Sequence, residues 1–272
     1  MAKARKINPA QRGVAPVVTT VILVAATLII TLATTLYAYT ILESQMELTE
    51  YENGKLAMID LAEMIEGLLF TKGSAAYTTL YTKTGGLVFT IGTEKLSIKV
   101  NGLTVFGPDT VNLPTFRAGR LVGSADYTVL RGDPQSHASE YLIVGSGSTV
   151  APPLGWVYAK QQDGSWVVVD FGRARVVFSG MNNYTIDGFR WEALNVVEVT
   201  YVKIHFGQMG GRDVFDIRAK VTNVTTGVQR YHGNSVTITV TRGATSETYT
   251  VSGPGIDTIV NVSIVDVEVT IA

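Results

Sequence analysis

The chain has 272 residues, of which 46% are hydrophobic and only 17% charged, with a net charge of -1. Near-neutral charge excludes a global electrostatic drive toward nucleic acid, and twelve Tyr, nine Phe and three Trp exclude a disordered chain. With no Cys there is no disulfide framework, thiol nucleophile or thiolate metal site, and the three His (His137, His205 and His232) stand far apart.

The first element is apolar. From Val14 to Leu42 run 29 residues without a charge, where a helix crossing a bilayer core needs about 20. Lys3, Arg5, Lys6 and Arg12 precede it with no acid among them, so the positive-inside rule keeps the N-terminus cytoplasmic and sends everything after Leu42 outward. Three readings compete. A secretory signal has an apolar core of about 7–15 residues and small residues at its cut; this run is longer and ends in bulky Leu36, Tyr37 and Tyr39. A plain signal-anchor helix fits the length and orientation. The third reading turns on the junction Gln11-Arg12-Gly13-Val14-Ala15-Pro16, where the basic stretch gives way to the apolar one.

That junction, with RGVAPVV and VILVAATLI, resembles the class III signal of archaeal type IV pilins and archaellins, and the pilin branch more than the archaellin branch. The resemblance is specific over Arg12 to Leu42 and architectural beyond. It implies cleavage by a prepilin peptidase between Gly13 and Val14, with the apolar helix retained. Counting from Val14, the fifth mature position is Val18, where bacterial pilins usually carry Glu; its absence favours the archaeal branch.

The helix is expected from about Pro16, tolerated in a first turn because its missing N–H has no partner there, to about Leu69. Thr19, Thr20, Thr27, Thr31, Thr34 and Thr35 interrupt the apolar run. Their hydroxyls either bond back to carbonyls one turn earlier or join Ala25, Ala26, Ala33 and Ala38 as small residues at a helix–helix contact. Pro16, Ala25, Ala26, Leu28, Ile30 and Ala33 are taken as assembly-helix residues. Between Glu43 and Glu66 lie seven acids and one base, Lys55. Met58, Leu61, Ala62, Ile65 and Leu69 form an apolar stripe, and the acids read as a solvated face or as contacts to neighbouring subunits. Asn53-Gly54 reads as a stop or kink.

From Thr71 the period becomes two. Lys95–Val100 and Ser235–Thr241 alternate, Trp166–Phe171 and Arg173–Phe178 read as more buried strands, and turn signals fall at Gly85-Gly86, Asn101-Gly102, Asp163-Gly164, Gly210-Gly211 and Pro254-Gly255. Two strands change phase, at Tyr201/Val202 and at Ile264/Val265, which reads as a β-bulge in each. The fold class expected is α+β: a long N-terminal hydrophobic helix followed by an all-β, immunoglobulin-like sandwich. The divisions are a leader over 1–13, the helix over 14–70 and the sandwich over 71–272.

No Walker loop, G-x-G-x-x-G, G-x-S-x-G or H-E-x-x-H pattern is present, so no catalytic residue, cofactor or metal is assigned. Gly145-Ser-Gly-Ser148 leads into loop, Asp213 and Asp216 point to opposite faces of a strand, and His205 reads as structural. Trp156, Trp166 and Trp191 form either core or a sugar-stacking platform. Asn183, Asn223 and Asn261 open N-glycosylation sequons, and Asn223, beside an expected hairpin tip at Thr225–Gly227, is expected to be the best exposed. The resemblance implies a pilin: a self-polymerising subunit whose partners are the prepilin peptidase, the assembly machinery, the membrane before assembly, and surfaces or other cells. The alternative is a single-pass anchored surface protein with a glycan- or partner-binding sandwich.

Overall fold

The computed structural model describes residues 9–120, 122–123, 127–132, 140–146, 152–161, 163–186, 190–210 and 214–271; side chains at 9–16, 146, 186 and 190–191 are outside the description. Among the described residues one helix, α1 (Pro9–Leu68), is followed by thirteen strands. The helix therefore begins seven residues before Pro16: Pro9 takes the first-turn position, and Pro16 sits inside. Asn53-Gly54 neither stops nor splits it. The chain divides into two compact units, Met1–Met46 and Glu47–Ala272.

The second unit holds two sheets, giving the α+β sandwich expected. The first has six strands in the order β1 (Ala75–Tyr81), β10 (Val214–His232), β13 (Asp257–Ile271), β9 (Arg190–Phe206), β8 (Ala174–Ile186) and β5 (Leu142–Ser146). The second has seven: β12 (Thr245–Ser252), β11 (Ser235–Arg242), β2 (Gly86–Val100), β3 (Leu103–Arg117), β7 (Ser165–Asp170), β6 (Trp156–Gln161) and β4 (Tyr127–Arg131). Most neighbours are antiparallel, but β9 with β13 and β5 with β8 are parallel. Asn101-Gly102 and Asp163-Gly164 take positive φ between paired strands, as their turn chemistry requires.

Two cores fill this unit. In one, Leu96, Ile98 and Val240 of the second sheet meet Val197, Val199 and Val262 of the first. In the other, the helix stripe Met58, Leu61, Ala62 and Ile65, all at 0% exposure, packs with strand residues of both sheets, including Val167, Val202 and Val267.

These cores explain the phase changes, and they correct the bulge reading. The β9–β13 pairing runs from Asp257↔Leu194 to Val269↔Phe206 without a shift. Tyr201 and Val202 are both buried, but in different cores, and so are Ile264 and Val265. Since neighbouring strand residues point to opposite faces, each strand keeps its alternation and changes which face is covered partway along. The bulges lie on the outer partners instead, between Phe178 and Gly180 on β8 and between Val221 and Asn223 on β10.

Gly54 has a packing role. A Cβ there would lie 2.3 Å from Cε1 of Phe116, a ring buried in the helix-containing core, and one on Gly85 would lie 2.8 Å from Cζ of the same ring. In an open helix interior, Gly→Ala gains roughly 1 kcal/mol. Here Gly54→Ala is expected to reverse that sign and cost about 1–3 kcal/mol through overpacking, read as a lower thermal midpoint. Adding Phe116→Leu should recover part of the loss. A raised midpoint in the single variant would show that the ring yields without cost.

Candidate functional site

The first unit presents an uncommon surface. Val17, Leu28, Ile30 and Leu36 are exposed to 62%, 60%, 65% and 67%, and Ala25, Ala26 and Ala33 are exposed beside them. A helix apolar all round requires lipid or protein around it, because water leaves its whole surface unfavourably hydrated. Its polar atoms suit such surroundings. The hydroxyls of Thr27, Thr31 and Thr35 donate to carbonyls of Leu23, Thr27 and Thr31 at 2.8–3.0 Å, and Thr34 donates to Ile30. The back-bonding expected of these threonines is thus formed at Thr27, Thr31, Thr34 and Thr35. Arg12, Gly13, Val14 and Pro16 lie in the helical backbone, outside the residues whose side chains are described.

The acids of the helix are not all solvated, which corrects that expectation. Glu52, Asp60 and Glu63 are exposed, but Glu47 is 5% exposed and lies against Gly119. Glu50 accepts the backbone N–H groups of Lys83 and Thr84 at 2.9 and 3.0 Å and the Thr84 hydroxyl at 2.8 Å. Desolvation raises the pKa of Glu50, but these hydrogen bonds outweigh it and hold the carboxyl below its ordinary value. Glu66 takes both guanidinium arms of Arg131 at 2.7 and 3.0 Å and the Gly155 N–H at 2.6 Å. These carboxylates fasten Glu47–Leu68 into the sandwich.

Most of the charged groups buried in the sandwich are paired, while Arg173 is held by carbonyl oxygens with its Nη2 left without a partner among the described residues. Asp170, 1% exposed, accepts from Gly172 N at 2.7 Å and pairs with Arg242 at 2.8 Å, while Arg242 also reaches Glu94 at 2.7 Å. Arg173 is fully buried and donates to the carbonyls of Glu140 and Gly132 at 2.7 and 2.9 Å; desolvation lowers its pKa. Asp257 is held down to about 2, chiefly by the Gly233 N–H and then by Arg230. His205 pairs with Asp266 at 3.0 Å, the structural role expected of it, and His232 lies 3.3 Å from Asp257. Asp216 accepts from the Thr79 hydroxyl at 2.7 Å. His137 and Asp213 lie outside the described residues. Gly145 and Ser146 end strand β5, and Gly147 and Ser148 lie outside the description.

The described tryptophans differ in setting. Trp156 is 9% exposed and packs against Tyr158 at 4.8 Å between ring centroids, and Trp166 is half-buried on the same face of the second sheet, the one opposite the helix-containing core. The Trp191 side chain is outside the description. The sequons also differ. Asn183 is exposed on β8. Asn223 is half-buried and donates to Thr225 of its own sequon at 3.1 Å. Thr225–Gly227 is no hairpin tip, because it lies inside β10 and pairs with Ile264, Ser263 and Val262. Asn261 is half-buried on β13, between β10 and β9.

Comparison of the chain with protein-family models, with curated proteins and with solved structures finds no match in any of the three.

Proposed function

We propose that this chain is the structural subunit of an extracellular, archaeal type IV pilus-like adhesive filament. The observation that carries the reading is the uncharged helical segment Val17–Leu42, exposed along its length and with its Thr27, Thr31, Thr34 and Thr35 hydroxyls satisfied internally. Such a segment is stable first in the cytoplasmic membrane and later among copies of itself. Open-ended growth then uses head-to-tail contacts in place of a closed symmetric pair. Cleavage falls between Gly13 and Val14, and the exported sandwich carries glycans, with exposed Asn183 as the first acceptor. A second reading, a membrane-anchored surface binder, uses the same helix as a permanent span.

Mature protein sheared from cells should begin at Val14, appear as filaments by negative-stain electron microscopy, and weigh more than its sequence. Gly13→Leu should leave a larger, membrane-held precursor and no filaments. A mature N-terminus at Met1 or Ala2 removes the pilin reading, and an unmodified mass removes the glycans. A Val14 start is expected to accompany filaments; their absence from wild-type cells favours the anchored binder.

A further inference from the structure

We propose that the face of β3, β6 and β7 opposite the helix-containing core carries a groove for an acidic sugar chain, centred on Trp166. The Asp163-Gly164 turn joins β6 to β7, and Val167 and Val169 point into the helix-containing core, so Trp166 and Val168 point the other way. In the strand register Trp166 stands opposite Lys160 on β6 and Arg117 on β3. The Arg117 guanidinium lies 5.0 Å from the centre of the indole and donates to the Asp163 carbonyl at 3.2 Å, which holds the cation over one face of the ring.

Beside the indole is a groove of about 300 Å³. Its floor is Leu113, Thr115 and Val168, the last two only 3% and 2% exposed, and its rim is Thr90, Lys160 and Asp163. A second hollow of about 280 Å³, lined by Arg117, Arg120 and Gly164 among others, shares Asp163 with it. Among the described residues, no carboxylate pairs with Lys160 or Arg120.

This combination selects a ligand class. A pyranose ring has an apolar C–H face that lies against an indole and an aliphatic floor, and its hydroxyls find Thr90 and the Asp163 carboxylate at the rim. The cations, Lys160 in one hollow and Arg117 and Arg120 in the other, outnumber the Asp163 carboxylate the hollows share, and call for negative charge on the ligand, as on the carboxylates of a uronic acid. Two hollows in series match a chain of sugars better than a single ring. The strand framework holds the groove in place before binding, so little ordering cost remains.

The test does not depend on polymerisation. Full-length protein in detergent micelles is titrated calorimetrically with tetragalacturonate and with neutral maltotetraose. Saturable binding of tetragalacturonate, weakening as salt is raised, is expected, with maltotetraose bound at least about tenfold more weakly. Trp166→Ala should weaken binding by about tenfold or more, and Trp166→Phe should retain part of it. Lys160→Gln with Arg120→Gln should lose both affinity and salt dependence while leaving the thermal midpoint unchanged, and this pair decides the matter if Trp166→Ala does not fold. No saturable binding by the wild type, equal binding of the two tetramers, or unchanged affinity in the Lys160/Arg120 pair overturns the proposal. Variants that bind the acidic tetramer normally yet fail to form filaments would reassign the groove to a subunit contact.

Discussion

Cells carrying Ala26→Glu are expected to hold normal amounts of processed protein in the membrane and to make few or no filaments. Ala26 lies in the middle of the uncharged run, exposed on the helix. As a membrane span, the helix absorbs one acid at about 2.5–3.5 kcal/mol on insertion scales, because so many apolar residues surround it. In the proposed filament the same carboxylate enters a dry bundle in every copy. The nearest bases are Arg12 and Lys55, and the first is about 21 Å away along the helix. An unpaired buried charge costs several kcal/mol per subunit, and the cost recurs with each copy added. Electron microscopy of sheared material, with immunoblots of membranes, reads both halves of this expectation. Filaments of ordinary number and length would mean that this face is not buried between subunits.

The second large effect is expected at Asp170. Asp170→Ala removes the main countercharge of Arg242, whose side chain is 8% exposed, and leaves the Gly172 N–H without its acceptor. Glu94 remains, but its side chain is 49% exposed and compensates less. Removing one partner of a buried pair costs about 3–5 kcal/mol, which for a domain of this size lowers the thermal midpoint by roughly 10 °C. Replacing both partners, Asp170→Leu with Arg242→Met, should cost clearly less than the single change, because no charge is stranded. Circular dichroism melts of the two variants in detergent make the comparison. A single variant that melts like the wild type would show that water reaches Arg242.

The legible parts of this molecule are those written in local periodicity. The β11 alternation, the helix stripe Met58–Leu69 and the turns at Asn101 and Asp163 each depend on neighbours a few residues away, and each appears where expected. The phase change at Tyr201/Val202 was visible, but one strand read alone has two explanations for it: an extra residue, or a change of covered face. Only its partner β13, about 60 residues on and unshifted in register, separates them. Likewise Glu50 and Glu66 are indistinguishable in sequence from exposed Glu52 and Glu63. Their partners are the backbone of 83–85 and the side chain of Arg131, which the fold alone brings near. Trp166 belongs with them. Its position between Lys160 and Arg117 is a product of strand register, and no spacing along the chain announces it.

The helix-containing core also settles how the sandwich responds to tension. The buried face of Tyr51 to Ile65 packs on strands of both sheets, and the Glu66–Arg131 clasp closes over the far end of this stretch. No slack tether joins the last turns of α1 to the strands around them. A pull along the axis of α1 must therefore slide several turns of packed side chains past their strands at once, and must strip Glu50 and Glu66 from their donors in the same movement. Shear of this kind resists far better than peeling, in which contacts fail one after another.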